Sequence, residues 1–153
     1  MDDHGTGVPK SLGRQLNFTS GAANDVVARL LDPHGLSLAQ WAVLVTLWRN
    51  GPLPLKDIAE MTGNAPPATS RIVERMVGRG LVHRTVSPGD RRSVTISLSE
   101  AGENLRRTAR IWEEVNAILL GGMNGPEREA LFATLAEVEQ RARSWLAGDG
   151  TTP

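Results

Sequence analysis

Leu55-Lys56-Asp57-Ile58-Ala59-Glu60-Met61, the connection Thr62-Gly63-Asn64, and Ala65-Pro66-Pro67-Ala68-Thr69-Ser70-Arg71-Ile72-Val73-Glu74-Arg75-Met76-Val77-Gly78-Arg79-Gly80 decide the fold. In the first segment Leu55, Ile58 and Ala59 share one helical face, which predicts a short helix over 55–61. Thr62-Gly63-Asn64 is a tight, glycine-centred connection to a second helix. That helix opens at Pro66-Pro67, where the missing amide donors cost nothing because first-turn donors have no helical partner. It continues to about Arg79, and Gly80 ends it. Ile72, Val73, Met76 and Val77 form its apolar side, while Pro67, Ala68, Arg71, Glu74 and Arg75 lie away from that side.

Downstream, the period changes to two. Val82, Val86, Val94, Ile96 and Leu98 alternate with Arg84, Ser93, Thr95 and Ser97 around Ser87-Pro88-Gly89-Asp90, which predicts a β-hairpin with Asp90-Arg91-Arg92 at its charged tip. Upstream, apolar positions from Leu12 to Leu31 predict a helix over 11–32, stopped by Asp32-Pro33-His34-Gly35. Ser37 then caps a helix over 38–49 carrying Trp41 and Trp48. After the hairpin, Ser99 caps a long helix reaching Gly121-Gly122, with Glu100 and Glu103 at its positive end. A last helix opens at Pro126, and its stripe Leu131, Leu135, Val138, Ala142 and Trp145 suits packing on another helix. The expectation is a mainly α fold of the α+β winged-helix kind: six helices with a two-stranded β-hairpin wing, dimerising through N- and C-terminal helices. Residues 36–98 would form the winged helix-turn-helix lobe, 11–35 and 99–147 the dimerisation helices, and 1–10 and 148–153 flexible termini.

Composition removes several alternatives. A length of 153 residues, 40% hydrophobic and 22% charged, suits one soluble domain. No run approaches a membrane span and the N-terminus lacks signal-peptide character, which predicts a cytoplasmic protein. With no cysteine and three scattered histidines, His4, His34 and His83, neither thiol chemistry nor a metal site is expected, and no cofactor. No glycine-rich phosphate loop, nucleophile with its base, or paired carboxylates argue for an enzyme. Net charge is zero, yet residues 55–98 carry seven basic side chains (Lys56, Arg71, Arg75, Arg79, Arg84, Arg91, Arg92) against four acidic ones (Asp57, Glu60, Glu74, Asp90).

A short basic helix face held behind a glycine turn can enter the major groove of double-stranded DNA. Pro67 and Ala68 permit close approach, Arg71 can bond twice to guanine, Thr69 or Ser70 can bond bases or phosphates, and Arg75 lies on the same outer face. Arg91 and Arg92 at the hairpin tip can reach a narrow minor groove, with Asp90 orienting an arginine or closing the turn. The bland alternative is a solvated amphipathic helix, and a winged-helix module that binds protein rather than DNA is the competing function.

Leu36-Ser37-Leu38-Ala39-Gln40-Trp41, Leu55 to Met61, Arg71-Ile72-Val73-Glu74-Arg75-Met76, Gly80-Leu81-Val82, Asp90-Arg91-Arg92 and Leu98-Ser99-Glu100-Ala101-Gly102, in this order and spacing, resemble the multiple-antibiotic-resistance regulator (MarR) family over about residues 36–105. The resemblance implies a homodimer with interlocking terminal helices, two winged lobes on successive major grooves of a near-palindrome, and repression relieved by a small ligand. Two positions depart from the family pattern: Ala65 and Ala68 stand where hydroxyl residues are usual. The resemblance places an inducer pocket near the first two helices and the helix after the wing. His34, Trp41, Trp48 and Trp112 are the candidates there for a small aromatic or phenolic ligand, although each tryptophan reads more readily as plain core and His34 as a loop residue beside Pro33.

Overall fold

The computed structural model describes residues 11–87 and 90–149; the side chains of 87, 90–93 and 149 lie outside that description. The expected tails 1–10 and 150–153 lie outside it too, whereas Gly148 and Asp149 belong to a π-type turn, Trp145–Asp149.

The elements follow in the order α1 Leu12–Leu31, a 3₁₀ turn Asp32–His34, α2 Leu38–Asn50, β1 Leu53–Pro54, α3 Leu55–Thr62, α4 Pro66–Gly78, β2 Val82–Ser87 and β3 Asp90–Leu98. After the hairpin come α5 Glu100–Asn104, a 3₁₀ segment Leu105–Arg110, α6 Ile111–Leu119 and α7 Gly125–Ser144. The helix starts follow from capping. Ser11 accepts from the Arg14 amide, Ser37 and Gln40 form a reciprocal capping box, and Asn124 and Glu127 form another. The described helices include none long and apolar enough to cross a membrane.

Two features depart from the sequence reading. The expected two-stranded hairpin gains a third strand, because Leu53 pairs with Ile96 and Pro54 with Thr95, giving an antiparallel sheet in the order β1-β3-β2. Pro54 is tolerated because β1 is an edge. The single long helix expected after Ser99 is broken by the 3₁₀ segment. There the Thr108 hydroxyl donates to the Leu105 carbonyl (2.7 Å), and the Trp41 indole Nε1 donates to the Thr108 carbonyl (3.0 Å). A side chain that bonds its own backbone and a carbonyl taken by a distant donor both compete with α-helical pairing.

The chain packs as two units, one ending at Val115 and the other starting at Asn116. The first holds the core: Leu31 from α1, Val43, Leu44 and Leu47 from α2, Ile58 from α3, Val73 and Met76 from α4, and Val82 and Ile96 from the sheet are all essentially inaccessible to solvent. In the second, α7 buries none of its residues; Phe132 and Leu135 are exposed and Leu131 and Val138 half-buried. Its surface carries the pairs Glu137–Arg141 and Glu139–Arg143 one turn apart.

Candidate nucleic-acid interface

The joint between α3 and α4 sets how α4 is presented. Gly63 ends α3 at φ +68°, a left-handed conformation that glycine adopts at no steric cost, and its amide donates back to Ala59 and Glu60. The Asn64 amide also returns to Ala59 (3.1 Å), while its side chain donates to the Thr62 hydroxyl (3.1 Å). Ala65 occupies the cap position of α4 without a side-chain bond, and Pro66 and Pro67 follow as its first residues.

From there the periodicity sorts the side chains. Thr69, Val73 and Met76, at spacings of four and three, face the core and are buried. Pro66, Pro67, Ala68, Arg71, Glu74 and Arg75 are exposed and Ser70 is half-buried. The structure therefore brings Pro67, Ala68, Ser70, Arg71 and Arg75 together on or beside one outer face, but it removes Thr69 from it. Thr69 has no exposed surface, and its hydroxyl donates to the Ala65 carbonyl (3.3 Å), so it stitches the first turn instead of facing a duplex. Val77, expected on the apolar side, is 40% exposed. Thr69→Val keeps the shape and deletes the hydroxyl, so it should cost about 1 kcal/mol of unfolding stability and leave relative affinities for different duplexes unchanged. Chemical denaturation and competition binding check the two halves separately.

Charge on this face is unopposed in part. Arg79 is held away by a bond from its Nη1 to Gln40 Oε1 of α2 (3.0 Å). Among the described residues, no ion pair engages Arg71, Arg75, Arg84 or Lys56, all of which are exposed. An exposed guanidinium without a carboxylate partner is available to phosphate or to a base edge.

Beside α4, β2 and β3 pair in register from Val82–Leu98 to Val86–Val94, with an irregularity before the Ser87–Asp90 pair. Pro88 and Gly89 lie outside the described residues, as do the side chains of Asp90, Arg91 and Arg92, whose backbone runs in β3. The foot of this wing is anchored more tightly than the sequence suggests. Ser99 Oγ donates to the Gly80 carbonyl (2.6 Å) and accepts from the Gly102 amide (3.1 Å), and the Ser99 amide donates to the Leu81 carbonyl (3.1 Å). The Trp48 indole donates to the Gly102 carbonyl (3.2 Å), and Arg106 Nη1 donates to the Trp48 carbonyl (3.1 Å). Arg106 also pairs with Glu103, and that hydrogen bond holds the exposed Glu103 carboxyl below its usual range. Because the folded-state value is lowered, the pair contributes above the carboxylate range and fades on acidification through it. Sequence reasoning named Ser99 as a cap, but its second bond, to the turn before the wing, carried no sequence signal.

The four residues considered for a small ligand are dispersed in role. Trp48 is buried and Trp41 half-buried, each with its indole N–H already bonded to a backbone carbonyl. Trp112 is 48% exposed, and His34 is half-buried in the 3₁₀ turn after α1. An open surface hollow of about 510 Å³ is bordered by Gly13, Arg14, Asn17 and Phe18 of α1, all exposed, where the Arg14 guanidinium lies 5.3 Å from the Phe18 ring centre.

Comparison with known proteins adds to this geometry. The sequence model of the MarR family matches residues 36–94. The chain is similar to the HTH-type transcriptional regulator TtmR of Methylorubrum extorquens, at 30% identity over 145 residues covering 90% of this chain and 72% of that protein. It is similar to the HTH-type transcriptional repressor NicR of Pseudomonas putida, at 30% identity covering 70% of this chain and 68% of the other. Its fold is similar to that of Bordetella bronchiseptica BpsR, a protein whose DNA binding is regulated by 6-hydroxynicotinic acid, with a TM-score of 0.78 and 24% identity over 85% of this chain and 99% of that one.

Proposed function

The chain belongs to the MarR family and is a DNA-binding transcriptional regulator, and from that premise we propose that it acts as a ligand-responsive repressor, gripping a near-palindromic operator as a homodimer in the cytoplasm. The observation that carries this reading is the outer face of α4: small residues at its start, then Arg71 and Arg75 exposed and, among the described residues, without ion pairs, opposite a fully buried Thr69-Val73-Met76 side. A rigidly backed helix with cations on its free face suits the major groove, where arginine meets guanine edges and phosphates.

Dimerisation is supported by apolar surface that has no use in a monomer. Leu12 and Phe18 on α1 and Trp112 on α6 are exposed, and so, in the second unit, are Ile118, Phe132, Leu135 and Trp145. Exposed apolar side chains in this number mark association surfaces, and a self-complementary pairing of copies matches a two-fold operator. The lobe would then be residues 36–98, with 11–35 and 99–147 as dimerising helices. A small aromatic or phenolic acid is the proposed effector; Trp41 and Trp48 would offer it ring faces, their N–H groups being already engaged, and Trp112 and His34 would complete its surroundings. The name of NicR as a repressor and the ligand-controlled DNA binding of BpsR support these two assignments.

The wing enters through Arg91 and Arg92, adjacent cations in a hairpin arm, with Asp90 orienting them. Arg92→Ala should weaken operator binding about tenfold at moderate salt, as expected for loss of a minor-groove arginine, while sedimentation shows the same dimer. Unchanged affinity would remove the wing from the interface. The reading as a whole is tested by duplex affinity against salt concentration. A steep fall as phosphates are released to counterions is expected, and a flat response would favour a protein-binding module.

A further inference from the structure

The first turn of α4 presents no polar side chain and, beyond its cap residue, a single backbone donor, the amide of Ala68, which bears on which bases it can face. Pro66 and Pro67 carry no amide hydrogen, Ala65 and Ala68 have no polar side chain, and all four are exposed. Of the two hydroxyls that follow, that of Thr69 is spent on the Ala65 carbonyl inside the protein, and that of Ser70 lies beyond the turn on a half-buried residue. Pressed against a base nitrogen, a base oxygen or a phosphate, this surface would strip away water and return little, which is unfavourable. The major groove offers one apolar group that rewards such a surface, the C5-methyl of thymine.

We propose that Pro67 and Ala68 are specificity-determining residues that read a thymine methyl beside the base contacted by Arg71. The proposal rests on the regulator reading above and deepens it by naming what the apolar, proline-led turn selects. Arg71 lies four residues after Pro67 and three after Ala68, so the apolar turn and the guanidinium share one face. The charge of Arg71 and Arg75 draws the helix to DNA, while the turn ahead of them sets which edge is tolerated. Four helical residues advance about 6 Å along the axis, and base pairs are stacked about 3.4 Å apart. The thymine therefore falls within about two base pairs of the position that depends on Arg71. Among hydroxyl-bearing alternatives at Ala65 or Ala68, a donor would be supplied and the preference for an apolar edge would weaken.

The test uses the full chain and the tightest duplex recovered from a randomised pool. Each thymidine of a half-site is replaced singly by deoxyuridine, which deletes the methyl and leaves the pairing and the groove-edge donors and acceptors as they were. One position should lose about fourfold in affinity, the scale set by removing one methyl from an apolar contact, and it should lie within about two base pairs of a guanine whose replacement abolishes the effect of Arg71→Ala. In Ala68→Ser and Pro67→Ser, both changes on the exposed surface, that thymine-to-uracil difference should shrink toward unity while the duplex is still bound. Uniformly neutral uracil substitutions, or a difference that persists in both variants, would overturn the proposal. If the pool yields no retained duplex, the regulator reading itself falls and the proposal with it, an outcome distinct from a bound duplex that ignores the methyl.

Discussion

Arg71→Ala is expected to reduce discrimination between an operator and a scrambled duplex of the same composition by about 1–3 kcal/mol, the range for one bidentate arginine–guanine contact. The argument starts from position. Arg71 stands on the face of α4 opposite the buried Thr69, Val73 and Met76, and that opposite face is fixed because those three side chains have almost no freedom to leave the core. The guanidinium has no ion pair among the described residues, so the substitution removes no internal contact of that kind. Stability should consequently stay within about 0.5 kcal/mol of the parent, and the binding change can be read as a change at the interface. Competition binding against both duplexes gives the answer directly. Equal losses on operator and scrambled DNA would make Arg71 a phosphate contact, and specificity would have to be sought in Ser70, Arg75 or the wing.

Gly102→Ala should be the most damaging small substitution in the first unit. A Cβ at residue 102 would lie 2.1 Å from the Leu81 carbonyl oxygen and 3.2 Å from both the Leu81 carbonyl carbon and a Leu98 methyl. The nearest obstacle is backbone at the foot of β2, which cannot turn aside as a side-chain end could. Gly102 is also buried and bonded at both ends, its amide to Ser99 and its carbonyl to Trp48. Overpacking of this kind costs about 1–3 kcal/mol or more, only partly offset by the better helix propensity of alanine, about 1 kcal/mol. A backbone contact this close puts the cost at the upper end of that range, so we expect a net loss of about 2 kcal/mol, equivalent to a fall in Tm of roughly 4–8 °C for a chain of this size, with duplex affinity falling as the wing foot is displaced. Gly78→Ala is the matched control: nothing lies within 4 Å of its Cβ position, so Tm should hold or rise slightly. An unchanged Tm for Gly102→Ala would mean that α5 and the wing are not locked together as described.

The helices around the turn at Gly63, the hairpin and the basic outer face of α4 were legible because their signals are local: spacing of apolar residues, proline and glycine punctuation, and a change of period at Gly80. What escaped was set at a distance. Leu105, Ala109 and Trp112 continue a helical period straight through the segment that becomes 3₁₀, and the break arises from the Trp41 indole, more than sixty residues away, together with the Thr108 hydroxyl. Strand β1 has two residues, too few to show alternation. Thr69 was legible after all. It lies four residues before Val73 and seven before Met76, on the buried stripe by spacing, and its residue type masked what its position indicated. Trp41 and Trp48, weighed as ligand walls or as core, also donate their indole N–H groups to tie α2 to the segment after the wing, a role that no local signal announced.

The central claim is that this chain reads DNA sequence as a two-fold dimer, and it is tested most directly by incubating the purified protein with fragments of its source genome at near-physiological salt and sequencing what is retained. The account predicts enrichment of a near-palindrome whose half-sites are centred about one helical turn apart. Retained fragments without a shared motif, or no retention at all, would contradict it.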